Sequence, residues 1–155
     1  MNRLIIFAMT LALPVAAQAG SRQDARVLLS EDPEERKFQQ DWGYADSVIT
    51  GDTVYLSGVV AGLRPGETDL KLPYERAFAR IGAILKRSGA SWDDVIDITS
   101  FHTDLTTQMP AIVAVKKKYV VGPPPAWTAI GVARLIPNTG ITEIKIVAKL
   151  PRPSH

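Results

Sequence analysis

The sequence predicts a layered α+β domain in which two helices pack on one face of a β-sheet. In the run 141–150, apolar residues at 144, 146 and 148 alternate with charged residues at 143, 145 and 149, with Val147 as the exception, which is the period of two that a half-buried strand requires. The run 72–88 instead carries its apolar residues at the three- to four-residue spacing of an amphipathic helix. Read in order, the predicted elements are β-β-β-α-β-α-β-β, which favours one sheet with helices on one face and an open second face.

The first part of the domain is predicted to contain an edge strand, an exposed segment and a β-hairpin. Val27 to Leu29 form one short apolar run, and the acidic stretch 31–35 that follows is typical of solvated surface. Tyr44 to Ile49 and Val54 to Ser57 are predicted to pair as a hairpin, because the Gly-Asp pair at 51–52 favours a tight turn.

The middle of the chain is predicted to contain two helices separated by a strand. A Gly- and Pro-rich loop at 62–66 precedes the helix over 72–88. A strand is predicted from Val95 to His102. The second helix is predicted over 109–119, with Pro110 in its first turn, where a missing N–H is tolerated.

The last 30 residues organise the predicted sheet. Three consecutive prolines, 123–125, form a stiff extended approach to a strand from Trp127 to Ala133. The Pro-Asn-Thr-Gly turn at 137–140 favours a hairpin between that strand and the one from Ile141 to Leu150. The alternation of the last strand places Glu143 on its more polar face.

Length and composition predict a single exported domain. Residues 1–19 are typical of a signal peptide, with a basic start, an apolar region and an Ala-Gln-Ala cleavage site, which leaves a domain over 20–155. The apolar region is shorter than the roughly 20 residues that span a bilayer. We therefore expect a periplasmic or secreted protein with no stable membrane anchor; an uncleaved anchor is the alternative.

Charge and residue usage exclude several classes of function. Removing residues 1–19 removes Arg3 and no acidic residue, which lowers the net charge from +2 to +1, so no nucleic-acid partner is expected. The chain has no cysteine and only two histidines, so we expect no disulfide, no metal site and no cofactor. Ser57, His102 and Asp104 lack the sequence context of a catalytic triad, and His102 with Asp104 is interpreted as a surface pair.

The chain also resembles the Rid (YjgF/YER057c/UK114) family, whose C-terminal signature reads close to PARS, VxVARLP and VEIExIA. The matching segments are 125–128, 132–135 and 143–148, and the resemblance extends over roughly residues 42–150. It implies a Rid or chorismate-mutase-like α+β fold. It also implies a homotrimer with a central β-barrel and small-molecule pockets between the subunits.

The resemblance implies which residues form that pocket. In the family, a glutamate helps to position water for the hydrolysis of reactive 2-imino or 2-enamino acids to 2-keto acids and ammonia. A carboxylate beside a protonated imine can orient or deprotonate the attacking water. We therefore predict Glu143 as the catalytic residue, and Tyr44, Ser57, Gly58, Trp127 and Thr128 as the ligand-binding residues.

One departure from the pattern leaves the function open, because Trp127 occupies the position of the family's pocket arginine. An indole offers one N–H and no charge, whereas a guanidinium forks onto a carboxylate. Arg134 lies about 23 Å further along an extended strand and is excluded as a substitute in the same subunit. Three hypotheses remain: a deaminase-type hydrolase with an altered substrate class, a non-catalytic ligand-binding or interaction protein, and a protein in which Trp127 only fills an empty pocket. A ribonuclease, the activity by which some relatives are labelled, does not suit the charge balance.

Overall fold

A computed structural model describes residues 22–151. Its helices are α1 (Pro33–Trp42), α2 (Lys71–Ser88) and α3 (Leu105–Tyr119). Its strands are β1 (Arg26–Leu28), β2 (Ser47–Thr50), β3 (Thr53–Leu56), β4 (Val59–Gly62), β5 (Val95–His102), β6 (Ala126–Gly131) and β7 (Gly140–Lys149). The predicted signal peptide, residues 1–19, lies outside the described residues.

The strands form one mixed sheet, and a break in it positions the candidate site. The strand order is β1-β2-β3-β7-β5-β6, and β4 also pairs with β7. β5 and β6 are parallel, and the other pairs are antiparallel. β3 and β4 pair with successive stretches of β7, with Val54 opposite Ala148 and Val59 opposite Ile144. Residues 57–58, between β3 and β4, therefore lie beside β7.

The hairpin predicted for the last 30 residues does not form. β6 pairs with β5, where Trp127 lies beside Ile98, and β7 pairs with the other side of β5, where Ile146 lies beside Ile98. The physical reason is that parallel strands need a long crossover, which α3 provides, and this crossover brings β6 to the free edge of β5. Residues 132–139 then pass the end of β5 to reach β7.

Helix α2 confirms the predicted amphipathic helix, whereas α3 begins earlier than predicted. Gly89, with a φ of 91°, ends α2 in the left-handed conformation. The side chain of Asp104 accepts hydrogen bonds from the N–H groups of Thr106 and Thr107, so α3 starts directly after it. Pro110 consequently lies inside the helix and not in its first turn.

The acidic segment 31–35 is mostly exposed, as predicted, but its last three residues begin helix α1, which the sequence analysis does not predict. Asp32 caps this helix by accepting hydrogen bonds from the N–H groups of Glu34 and Glu35, at 3.0 and 2.9 Å. Pro33 occupies the first helical position, and Gly43 ends the helix with a φ of 72°. The Asp-Pro-Glu-Glu motif was therefore a helix-start signal that the charge-based interpretation missed.

Polar contacts fix α1 to the rest of the domain. The amide of Gln39, which is buried, accepts the Ser30 N–H and donates to Asp46, both at 2.7 Å. Arg80 of α2 forks onto Glu35 of α1 at 2.6 and 2.9 Å. Because the Gln39 amide and the Glu35 carboxylate each have a defined partner, α1 packs on the domain in a single position.

The sequence prediction also misses strand β4, where it expects the start of a loop. β4 is only four residues long and reads Val-Val-Ala-Gly, so it carries no apolar–polar alternation. It becomes a strand because β7 offers it hydrogen-bonding partners from Ile144 to Gly140.

The core lies between the sheet and helices α2 and α3. On β7 the alternation is as predicted, with Ile144, Ile146 and Ala148 fully buried and Glu143 and Lys145 on the other face. Within residues 22–151, no helix combines the length and apolar character needed to cross a bilayer.

Candidate functional site

The break between β3 and β4 forms the floor of the candidate site. Glu143 on β7 lies between Val60 of β4 and Phe101 of β5, and its side chain passes over Gly58. A Cβ atom on Gly58 would lie 1.8 Å from Glu143 Oε1 and 2.5 Å from its Cδ. Only glycine leaves room for the carboxylate in this position. Among the described residues the Glu143 carboxylate has no hydrogen-bond or ion-pair partner, so it is available to a ligand or a water molecule.

Four predicted site residues, Tyr44, Ser57, Gly58 and Glu143, line one cavity of about 910 Å³, which we call the site cavity. This volume lies in the range of small-molecule pockets. The Tyr44 hydroxyl is able to donate a hydrogen bond at neutral pH, and burial raises its pKa further. The remaining wall is rich in aromatic rings, which come from Phe38, Trp42, Tyr55 and Phe101.

Arg134 also lines the site cavity, which sequence reasoning did not anticipate. A strand that continued in extended form from Trp127 would place Arg134 about 23 Å away from it. In the structure β6 ends at Gly131, and Arg134 lies in the segment that returns to β7 and lines the same cavity as Glu143. Its guanidinium has no hydrogen-bond or ion-pair partner within residues 22–151. The site cavity therefore contains an available guanidinium, although not at the position that the family resemblance indicated.

The structure does not bring Trp127 and Thr128 to the site cavity of the same chain. Trp127 is half-buried on the helix-facing side of the sheet, where its Nε1–H donates to Ser100 Oγ at 2.9 Å. Lys116 of α3 lies over its ring, with Nζ 4.1 Å from the centroid. Strand alternation places Thr128 on the opposite face, exposed on strand β6. Within one chain, Trp127 and Glu143 are thus separated by the sheet.

A second cavity of about 550 Å³ adjoins the site cavity and shares Tyr44, Ser57 and Gly58 with it. It lies between α1 and α2 and contains the ion pair of Arg80 with Glu35. The hydrogen bond from Arg80 holds the pKa of the Glu35 carboxyl below its usual range. This pair links α1 to α2.

His102 is not a surface residue, which corrects the interpretation of His102 and Asp104 as a surface pair. Its side chain is fully buried, with Nε2 2.8 Å from Ser100 Oγ and Nδ1 3.0 Å from Thr142 Oγ1. Asp104 instead caps α3. Ser57, His102 and Asp104 consequently form no triad.

A consistent assignment of donors describes the network around His102. Trp127 donates to Ser100, Ser100 donates to His102 Nε2, and Nδ1–H donates to Thr142, whose hydroxyl donates to Gln108 Oε1. Each group then has a partner while the imidazole is neutral. Burial also lowers the pKa of His102, which keeps the ring neutral. The network joins the sheet to α3, so it has a structural role.

The fold and the site cavity together define the class of protein to which this chain belongs. The protein is an α+β domain with helices on one face of a mixed sheet, and with an aromatic-lined cavity where β4 meets β7. Within residues 22–151, no cluster of three or more His, Cys, Asp or Glu side chains could hold a metal ion. The chemistry available in the cavity is that of a carboxylate, a guanidinium, hydroxyl groups and aromatic rings.

Comparison with known proteins gives the family. Residues 34–150 match a family model described as endoribonuclease L-PSP. RutC family protein YjgH of Escherichia coli (strain K12) is 38% identical over 112 residues, which cover 70% of this chain and 83% of that protein. A protein named 2-iminobutanoate/2-iminopropanoate deaminase, from Dermatophagoides farinae, is 32% identical over 108 residues, covering 67% of this chain and 84% of that protein.

Comparison with solved structures agrees with these sequence matches. A structure of protein YJGH superposes with a TM-score of 0.67 at 33% identity, covering 81% of this chain and 95% of that one. A Mycobacterium tuberculosis member of the YjgF/YER057c/UK114 family superposes with a TM-score of 0.69 at 22% identity, covering 81% and 99% of the two chains, which shows a shared fold. The chain belongs to the Rid (YjgF/YER057c/UK114) family.

Proposed function

We propose that this protein is a deaminase-type hydrolase that converts reactive 2-imino or 2-enamino acids to 2-keto acids and ammonia. Glu143 positions the attacking water, and Tyr44, Ser57 and Gly58 border the substrate. The observation that carries the proposal is the placement of Glu143 over Gly58, with its carboxylate unpaired inside the site cavity.

The proposed reaction needs little more than a positioned carboxylate. The oxygen of one water molecule bonds to C2 of the protonated imine, and Glu143 accepts a proton from that water. Glu143 passes this proton to the nitrogen, the C–N bond breaks as the hydroxyl oxygen forms the carbonyl, and the departing ammonia takes up the hydroxyl proton, which leaves the 2-keto acid and ammonium. Water and iminium are consumed, and keto acid and ammonium are formed, so the step needs no oxidant and no cofactor.

The names of the matching proteins point to two different activities, and only one of them supports the proposal. One relative carries a deaminase name for 2-imino acids, and the family model carries the name endoribonuclease. A net charge of +2 over the whole chain provides little attraction for a phosphate backbone. We therefore favour a small-molecule substrate.

The test follows ammonia release from imines that an amino-acid oxidase generates in the assay. We expect the purified protein to accelerate release and Glu143→Gln to remove most of that acceleration, because glutamine keeps the shape and loses the basic oxygen. Glu31→Gln is a matched control, since the Glu31 side chain is 79% exposed and lies outside the site cavity. Equal rates for the protein and Glu143→Gln would reject the assignment of Glu143.

A second candidate function is ligand binding without turnover. It is favoured by Trp127, which replaces the family's pocket arginine and packs on the helix-facing side of the sheet. This candidate predicts saturable binding of a 2-keto acid in calorimetry with no acceleration of imine hydrolysis.

We also propose that the protein is exported and that it assembles as a homotrimer. Export is in keeping with the resemblance of residues 1–19 to a signal peptide. The sheet face opposite the helices carries exposed apolar residues, including Tyr55 and Ile130, which a neighbouring copy would cover. The contribution of Trp127 and Thr128 to a pocket between copies stays a prediction. A mature mass that begins at Gly20, and a sedimentation mass three times that of the chain, are the expected results; an uncleaved monomer would reject both.

A further inference from the structure

Helix α1 presents a cluster of aromatic rings to the site cavity. Phe38 and Trp42 are one turn apart on this helix, with ring centroids 4.7 Å apart. Tyr44 meets Phe38 edge-on, with centroids 6.2 Å apart and planes at 82°. All three side chains line the site cavity, and they remain 45%, 62% and 42% exposed respectively. We call these three residues the aromatic wall.

The aromatic wall is held in place and is not a loose surface patch. Gln39, which lies between Phe38 and Trp42 in sequence, is almost fully buried and bonded to Ser30 and Asp46. The three side chains therefore stay partly exposed while their helix is fixed by the polar bonds of Gln39. A rigid, exposed aromatic surface is the kind of surface on which a flat apolar group stacks.

The charges around the same cavity favour an anion. Arg134 and Lys145 provide two cations against the single carboxylate of Glu143. The Arg134 guanidinium is unpaired among the described residues, so it is free to fork onto a ligand carboxylate. The aromatic wall, Glu143 and Arg134 thus place a stacking surface, a general base and a carboxylate partner in one cavity.

We propose that the site cavity selects 2-imino acids, and the corresponding 2-keto acids, whose side chain is an aromatic ring. The ring stacks on Phe38 and Trp42, and the carboxylate binds Arg134. The substrate class rests on the proposed function, whereas the binding preference can be measured separately. An upstream reaction that oxidises the Cα–N bond of an aromatic amino acid would supply such an imine.

Binding is tested by calorimetry with two stable probes that share a carboxylate and differ in the side chain, phenylpyruvate and pyruvate. We expect phenylpyruvate to bind at least tenfold more tightly. Trp42→Leu is expected to remove this preference, and Trp42→Phe to retain most of it. Arg134→Gln is expected to weaken both acids by a similar factor. Val121→Ala, at a residue 71% exposed and outside the site cavity, is the control that leaves both affinities unchanged.

Several outcomes would overturn the inference. Equal affinity for the two acids, or an unchanged preference in Trp42→Leu, would show that the aromatic wall does not contact the ligand. If Trp42→Leu instead dissociates an oligomer and neither acid binds, the aromatic wall is a contact between copies. Circular dichroism of each variant separates these results from loss of folding.

Hydrolysis assays distinguish failure of this inference from failure of the proposed function. Equal acceleration for the imines of alanine and phenylalanine would retain the proposed hydrolase and reject aromatic selection. Tight, Trp42-dependent binding of phenylpyruvate without hydrolysis of either imine would retain the aromatic site and reject the hydrolase.

Discussion

Replacing Gly58 with alanine should separate catalysis from folding at this site. The new Cβ would lie 1.8 Å from Glu143 Oε1, 2.5 Å from Cδ and 2.6 Å from Cγ. Ordinary contact distances are about 3.5 Å, so the carboxylate must move by more than about 1.5 Å. A misplacement of about 1 Å can cost a hundredfold in rate, and we expect imine hydrolysis to fall by at least that factor.

The same substitution should change stability little. The atoms that must move are the far end of a flexible, partly exposed side chain, and Gly58 does not have a positive φ. We therefore expect the free energy of unfolding to change by less than about 1 kcal/mol, measured by urea denaturation.

Gly62→Ala is the matched control for this prediction. Gly62 lies on β4, and its new Cβ would meet Thr139 at an ordinary 3.5 Å, outside the site cavity. The assay compares ammonia release from both variants with that of Glu143→Gln. The reasoning is refuted if Gly58→Ala is as active as Gly62→Ala while Glu143→Gln is inactive, because the position of the carboxylate over Gly58 would then be irrelevant.

Three further predictions test the structure around the site. Burial places the folded-state pKa of His102 below its unfolded value of 6.5, so the contribution of His102 to the free energy of unfolding is full above that pH and declines as the pH falls below it. The midpoints of urea denaturation between about pH 7.5 and 5.5 should show this decline, and His102→Gln should flatten it. Trp127→Arg should destabilise the fold by roughly 2 kcal/mol, because it brings a second cation next to Lys116. A gain of imine hydrolysis in this variant would instead show that position 127 reaches a site between copies. Gln39→Ala should cost about 1–3 kcal/mol, because it leaves Asp46 and a backbone N–H short of partners, and should speed amide exchange in α1; unchanged exchange would mean that α1 is held by other contacts.

Part of the candidate site was accessible from the sequence. Tyr44, Ser57, Gly58 and Glu143 were predicted through their match to a family pattern, and the structure brings these four residues to one cavity. Arg134 was missed, because its distance from Trp127 was measured along a strand that ends before it. The aromatic wall was missed for a related reason: the acidic residues of α1 were interpreted as solvated surface, although Asp32 and Pro33 begin a helix.

The sequence by itself determined the local structure of the elements that are buried on one face, because such burial imposes a repeating pattern of apolar residues. The 3.6-residue repeat of α2 and the two-residue alternation of β7 each place apolar side chains on one face, so both could be predicted from the residues alone. Only the tertiary structure decided which strands pair, since β6 joins β5 through a crossover that no local pattern specifies. It also decided that Glu143 passes over Gly58, because that contact depends on where two distant strands meet.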